Sequence, residues 1–225
     1  MWLELEYLPA SLFSFKDINA TNTAATSLLI PTPFGVKMGL ISICIQRYDI
    51  EKARELFNLI KGMKINFKLP REMVVNKTFG RINDLRQKTG RSKPGYREYV
   101  YAKGSLKIAC DISGFAETDV SLLKILFRGI NYFGKKGSFM QFKGVTLLEK
   151  LDEGYIKLMG KDDFTAGRSI IQFTEDIPPE ATFEDINIYD SDNSLKRVNN
   201  KQMHIVNLEN ALSGDGYQYY KICSG

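Results

Sequence analysis

Ile30-Pro31-Thr32-Pro33-Phe34-Gly35-Val36-Lys37-Met38-Gly39-Leu40-Ile41-Ser42-Ile43-Cys44-Ile45 reads as the start and body of a helix with no water-facing side. Thr32 is placed to cap it, and Pro33 takes the first helical position, where a missing N–H costs nothing. From Phe34 to Ile45 apolar residues fall on nearly every side, so the helix must be buried. Gly35 and Gly39 would let another backbone come close. The positive end of its dipole, at Thr32-Pro33-Phe34-Gly35, is a natural anion site with Lys37 one turn in.

Upstream, Trp2 to Leu8 alternates as a strand, with Leu3, Leu5 and Tyr7 on one side and Glu4 and Glu6 on the other. Residues 16 to 27, rich in Asn, Thr and Ala, read as a loop. Downstream, Asp49 caps a second helix from Ile50 to Ile60 that stops near Gly62. Residues 61 to 93 lack a sustained apolar period and contain Gly80 and Gly90, with Pro94-Gly95 beyond; they suggest a projecting hairpin or loop and make a poor core. Strands return from Tyr96 to Ile112, broken near Lys103-Gly104 in the manner of a hairpin turn. Thr118 then caps a third helix, whose Val120, Leu123, Leu126, Phe127 and Ile130 recur at helical spacing until Gly134 ends it. A strand follows from Phe139 to Leu148. This order fits an α+β fold, an antiparallel sheet with helices on one face in the split βαβ arrangement. Element signals weaken in the acidic residues beyond Glu149.

Charge divides the chain. Residues 61 to 107 hold thirteen Lys/Arg against three Asp/Glu, whereas residues 149 to 192 hold twelve Asp/Glu against four Lys/Arg; the formal net charge of +5 conceals the division. The basic block interleaves Phe79, Tyr96 and Tyr99 among Arg81, Arg86, Lys88, Arg91, Lys93 and Arg97, and Tyr101 follows. Cations of that density can neutralise phosphates, while rings offer faces to unstacked bases. Nucleic acid is therefore the expected partner, although Tyr99 and Tyr101, sharing one strand face, also fit ordinary inward positions. Gly134-Lys135-Lys136-Gly137-Ser138 combines glycines that permit close backbone approach with two ammonium groups. That suits a phosphate, and equally fits a helix C-cap followed by a tight turn.

Other chemistries have little material. One histidine, His204, stands in the polar stretch Lys201-Gln202-Met203-His204 and reads as a surface or interface residue rather than a catalytic base. Cys44, Cys110 and Cys223 are widely separated and odd in number, which suits reduced thiols and no paired metal spacing. Asp162-Asp163, Glu175-Asp176 and Glu184-Asp185 lack calcium-loop spacing and read as a solvated or protein-binding face. No metal or cofactor is expected. Without a signal peptide or an apolar run of membrane length, a soluble cytoplasmic protein is expected, with no membrane partner.

The N-terminal strand, Ile30-Pro31-Thr32-Pro33-Phe34 with Gly39, the basic hairpin, Tyr96-Arg97-Glu98-Tyr99 and Tyr132-Phe133-Gly134-Lys135-Lys136-Gly137-Ser138 together resemble the fifth family of CRISPR-associated proteins. These are repeat-associated mysterious proteins that cap the guide-RNA backbone of the Cascade surveillance complex. The resemblance covers roughly residues 1 to 148. It implies a ferredoxin-like, RRM-like fold with a protruding thumb at residues 66–95, a single RNA-binding domain over residues 1–225, and an acidic part at 149–225 that matches no family pattern. It implies a non-catalytic subunit of a type I complex that binds the 5′ handle of the guide RNA and packs against the backbone and large subunits; target DNA is a further partner it admits. The RNA-binding set is then Thr32, Lys37, Arg81, Arg86, Lys88, Arg91, Lys93, Arg97, Gly134, Lys135, Lys136, Gly137 and Ser138. Some relatives cleave precursor RNA with a Tyr, Lys and His set, which keeps a metal-independent endoribonuclease as the alternative. The lack of a His near the thumb or the glycine loop counts against it.

Overall fold

The computed structural model describes residues 1–17, 24–83, 92–134, 136–158, 169–187 and 200–222. In chain order the elements are β1 (Trp2–Pro9), β2 (Phe15–Lys16), β3 (Ala24–Ala25), β4 (Ser27–Leu28), α1 (Pro33–Arg47), α2 (Ile50–Gly62), β5 (Ile65–Lys68), β6 (Glu72–Asn83), β7 (Ser92–Lys103) and β8 (Leu106–Asp111). They continue with α3 (Glu117–Gly129), β9 (Met140–Leu148), β10 (Lys157–Leu158), β11 (Ser169–Asp176), α4 (Phe183–Ile186), β12 (Asn200–Gly214) and β13 (Tyr217–Ile222). The chain is an α+β protein with antiparallel sheets and four helices among the described residues.

The first sheet has the order β5-β8-β1-β9, every pairing antiparallel. Leu3, Leu5 and Tyr7 lie opposite Cys110, Ile108 and Leu106. Residues opposite one another share a face, so these six form one apolar surface, all of it buried. The helices cover that face: the Tyr7 hydroxyl donates to the Phe127 carbonyl on α3 at 2.7 Å. On the other face Glu4 is buried beneath a turn at 152–156, where it accepts from the Tyr155 hydroxyl and pairs with Lys107 at 2.9 Å.

The α1 start follows the sequence closely. Gly35 N donates to Thr32 Oγ1 at 2.9 Å, and Pro33 opens the helix. Asp49 caps α2 in the same way, accepting from Lys52 N at 2.7 Å. Packed against α2, α3 and β11, α1 buries one stripe, Pro33, Val36, Lys37, Leu40, Ile41 and Cys44, while Phe34, Met38, Ile43 and Ile45 are half-buried and Gln46 and Arg47 are exposed, so the helix is less enclosed than its apolar sequence suggested. Of the two glycines expected to admit a backbone, Gly35 does so, a Cβ there standing 3.8 Å from Gly134 N, whereas Gly39 meets the Ile130 side chain; a further close approach is at Gly129, where a Cβ would come within 2.7 Å of Ile43 Cγ2.

Four local expectations are corrected. Residues 61–93 do enter the core, through Ile65 and Phe67 on β5, Leu69, and Met73 and Val75 on β6. The first residues of the 66–95 segment thus lie in strands of the two sheets. The break at Lys103-Gly104 is no hairpin, because β7 pairs with β6 and β3 while β8 pairs with β1 and β5; Gly104, at φ +116, turns the chain from one sheet to the other. Ala116 takes the cap position of α3 with no side-chain bond, and the helix ends at Gly129.

A second sheet has the order β10-β12-β13-β6-β7-β3, with β11 also pairing β12. The acidic residues beyond 149 thus supply four of its strands and brace the N-terminal part. Lys37 pairs with Asp176, Lys68 with Asp152 at 2.6 Å, and Arg54 with Glu184. Asp185 completes a capping box with Thr182 on α4. Asp176 is thus drawn into the interior by Lys37, while Asp152 and Glu184 pair with cations and stay exposed and Asp185 caps α4, so this face is part ion-paired and part solvated; Asp162 and Asp163 lie outside the described residues. No helix among the described residues is long and apolar enough to cross a membrane.

Candidate nucleic-acid interface

Two separate parts of the expected RNA surface meet in space. Thr32 and Gly35 at the start of α1 lie beside the loop after α3: a Cβ on Gly35 would be 3.8 Å from Gly134 N. Both loop glycines use conformations that other residues avoid, Gly134 at φ +65 and Gly137 at φ +103, and neither has a neighbour where a Cβ would stand. The loop backbone is thus open to an approaching group, with exposed Lys136 beside it. Lys135 lies outside the described residues.

Three members of the expected set have other employment. Lys37 is 1% exposed; its Nζ lies 2.7 Å from Asp176 Oδ1 and donates to the Lys61 carbonyl at 2.7 Å. Burial pulls its ammonium below the ordinary lysine range, against the opposing pull of Asp176. It ties α1 to β11 and is closed to RNA. Ser138 is buried as well, its Oγ donating to the Ser14 carbonyl at 3.2 Å and accepting from Ser14 N at 3.1 Å, so it anchors the loop. At the helix tip, Pro33 lacks an N–H and Thr32 satisfies Gly35, leaving the tip fewer donors for an anion than its dipole suggested.

The antiparallel pair β6–β7 carries the cations. Its register runs from Glu72 opposite Lys103 to Asn83 opposite Ser92. Near the sheet, Met73 and Val75 are buried; from Lys77 to Arg81 every residue is exposed, so both faces of the far end meet solvent. Phe79 and Tyr96, 62% and 60% exposed, face each other across the pair with ring centres 5.2 Å apart. Arg97 is partly exposed, its Nη1 donating to the Tyr96 carbonyl at 2.9 Å. Arg86, Lys88 and Arg91 lie outside the described residues, as does the side chain of Lys93.

His204 is a correction. It is 1% exposed rather than at the surface, with Nε2 2.9 Å from Thr174 Oγ1 and the ring edge-on to Phe67. Burial lowers its pKa to about 4, and Nδ1 has no hydrogen-bond partner among the described residues. Cys44 and Cys110 are buried free thiols; Cys223 is outside the described residues. No group of three or more His, Cys, Asp or Glu among the described residues is arranged to hold a metal ion.

No family model matches the chain. The chain is nevertheless similar along nearly its whole length to a CRISPR-associated protein, the class to which its motifs pointed. That relative is the curated CRISPR-associated protein Cas5 of Archaeoglobus fulgidus, 23% identical over an alignment of 219 positions that covers 91% of this chain and 92% of the relative. Among solved structures, a CRISPR protein from Archaeoglobus fulgidus matches 99% of this chain and 92% of its own, with a TM-score of 0.49 and 9% identity. A chain of a CRISPR RNA-guided surveillance complex matches 62% of this chain and 59% of its own, with a TM-score of 0.38 and 14% identity. The similarity to Cas5 extends through the acidic part, well beyond the roughly 148 residues that carried the motifs.

Proposed function

We propose that this chain is a non-catalytic subunit of a type I CRISPR Cascade complex that binds the 5′ handle of the guide RNA and caps its backbone. The observation that carries the reading is the meeting of the α1 start with the open glycine loop, 3.8 Å from a Gly35 Cβ to Gly134 N, beside exposed Lys136. A phosphate there can approach loop backbone that no side chain shields. The basic β6–β7 pair acts as the thumb, its cations holding the single strand. The order β5-β8-β1-β9, with helices in both crossovers, supports a ferredoxin-like reading of the first sheet. Other subunits of the complex are the protein partners.

The non-catalytic reading rests on His204, whose ring is enclosed and favours the neutral form. Purified protein incubated with a repeat-containing transcript in EDTA should leave it intact while shifting its mobility in a gel. Cleavage under those conditions would establish the endoribonuclease instead. For the thumb, replacing Arg81, Arg86, Lys88, Arg91 and Lys93 together with Ala should flatten the log-affinity against log-salt slope by about 0.7 per lost phosphate contact. An unchanged slope refutes the thumb assignment.

A further inference from the structure

The second sheet has an inner and an outer face. Met73, Val75, Val100, Ala102 and Tyr220 fill the inner one and are buried. On the outer face, register across β13, β6 and β7 aligns Lys221, Glu72 and Lys103 in one row, Tyr219, Val74 and Tyr101 in the next, and Tyr217, Asn76 and Tyr99 in the third. Thr78 and Arg97 continue the pattern, followed by Gly80 and Gly95. Beyond Glu72 the central strand therefore presents short side chains, with Tyr99 and Tyr101 on one side and Tyr217 and Tyr219 on the other, the Tyr217 ring lying over Gly214 of β12. With strands roughly 4.8 Å apart, this makes a groove about 10 Å across, with a floor of Val74 and Asn76.

Cations stand at both ends. Lys103 and Lys221 are exposed at one end and Arg97 is partly exposed at the other. Two acids share the end with Lys103 and Lys221: Glu209 on β12 lies opposite Lys221, whose Nζ stands 5.6 Å from the Tyr219 ring centre, and Glu72 accepts from the Tyr219 hydroxyl at 2.9 Å and from Lys103 at 3.3 Å, bonds that hold its carboxyl below the usual range. Tyr101 is 52% exposed, with no neighbouring ring covering it among the described residues. The core of a protein interface is depleted of charge. Ring walls over a polar, narrow floor with cations at the exits suit a single strand of nucleic acid better, since rings can take bases while ammonium groups meet the backbone.

We propose that this tyrosine-walled groove binds unpaired bases of single-stranded RNA by stacking. The inference rests on the reading of the chain as an RNA-binding protein and adds a surface to it, on the sheet face opposite Phe79 and Tyr96. A duplex, whose bases stack on one another, offers the rings no free face.

Fluorescence anisotropy with oligoadenylate, an abasic oligonucleotide of equal length and an adenine–uracil duplex tests it. Tyr101→Leu with Tyr217→Leu should weaken oligoadenylate binding roughly a hundredfold, about tenfold per ring. Tyr101→Phe with Tyr217→Phe should bind as wild type, because the phenyl face remains. The abasic strand and the duplex keep only phosphate contacts, so they should bind all three proteins alike and less tightly than oligoadenylate binds the wild type. If the leucine double variant melts early, Tyr101→Leu alone, at the most exposed ring, should still show the tenfold loss. Unchanged oligoadenylate affinity in a folded leucine variant, or abasic binding as tight as oligoadenylate, overturns the groove; the former leaves this face to a protein partner. Failure of the thumb would appear separately, as an unchanged salt slope in the arginine and lysine variant.

Discussion

Lys37 and Asp176, 139 positions apart, form a buried ion pair that fastens α1 to β11. Asp176 is also held by Gln202 Nε2 at 3.3 Å and by the Ile177 amide at 2.7 Å, so its carboxylate is well satisfied. Removing one partner of such a pair leaves an uncompensated charge in the interior. Asp176→Ala should therefore cost about 3–5 kcal/mol in urea unfolding, and Lys37→Met in the same chain should recover much of that loss. A double variant no more stable than Asp176→Ala would argue against the pair as the cause.

His204 predicts a pH window. Its folded-state pKa of about 4 lies below the ordinary 6.5, so the unfolded chain takes up the proton first. Its contribution to stability is complete above pH 6.5 and is lost as pH falls toward 4, by roughly 3 kcal/mol at full protonation. The expected result is a wild-type unfolding free energy that declines over this range more steeply than that of His204→Leu. Parallel curves for the two proteins would contradict the assignment.

At the glycine loop, backbone and charge separate cleanly. Gly137→Val must force a β-branched residue to φ +103, so melting temperature and handle-RNA affinity should both fall, the strain costing about 1–3 kcal/mol. Lys135→Ala with Lys136→Ala should leave melting unchanged and weaken handle binding, with a flatter salt dependence. A lysine double variant of wild-type affinity would reduce the loop to a turn.

The crossing of α1 with α3 depends on Gly129. An alanine there would press its Cβ against Ile43 Cγ2 at 2.7 Å. Overpacking of this kind costs about 1–3 kcal/mol. Calorimetry should show Gly129→Ala destabilised and Ile43→Ala in the same chain partly restoring it, though each substitution alone is harmful.

Local signals were legible where local physics decides. Leu3, Leu5 and Tyr7 showed their alternation, Thr32-Pro33 its helix start and Asp49 its cap, and all three appear as read. The second sheet was hidden because β6 finds β13 from far along the chain, and its far end is exposed on both faces, which erases any alternation. For Tyr99 and Tyr101 parity was visible but not its sign: Val100 and Ala102 hold the inner side. Lys37 looked like an anion ligand because its neutraliser is 139 residues away. For Asp152, Asp176 and Glu184 in the acidic run, a window of sequence shows the charges but not Lys68, Lys37 and Arg54, which the fold sets against them.

The position of β13 has a consequence in time. It lies between β12 and β6, in the interior of the second sheet. Until residues 217–222 have been synthesised, β6 keeps one bare edge of unpaired amides and carbonyls, and such edges recruit foreign strands. A nascent chain halted before Tyr217 therefore exposes its stickiest surface beside its basic hairpin. Its vulnerability to aggregation ends only when that late strand slides into place.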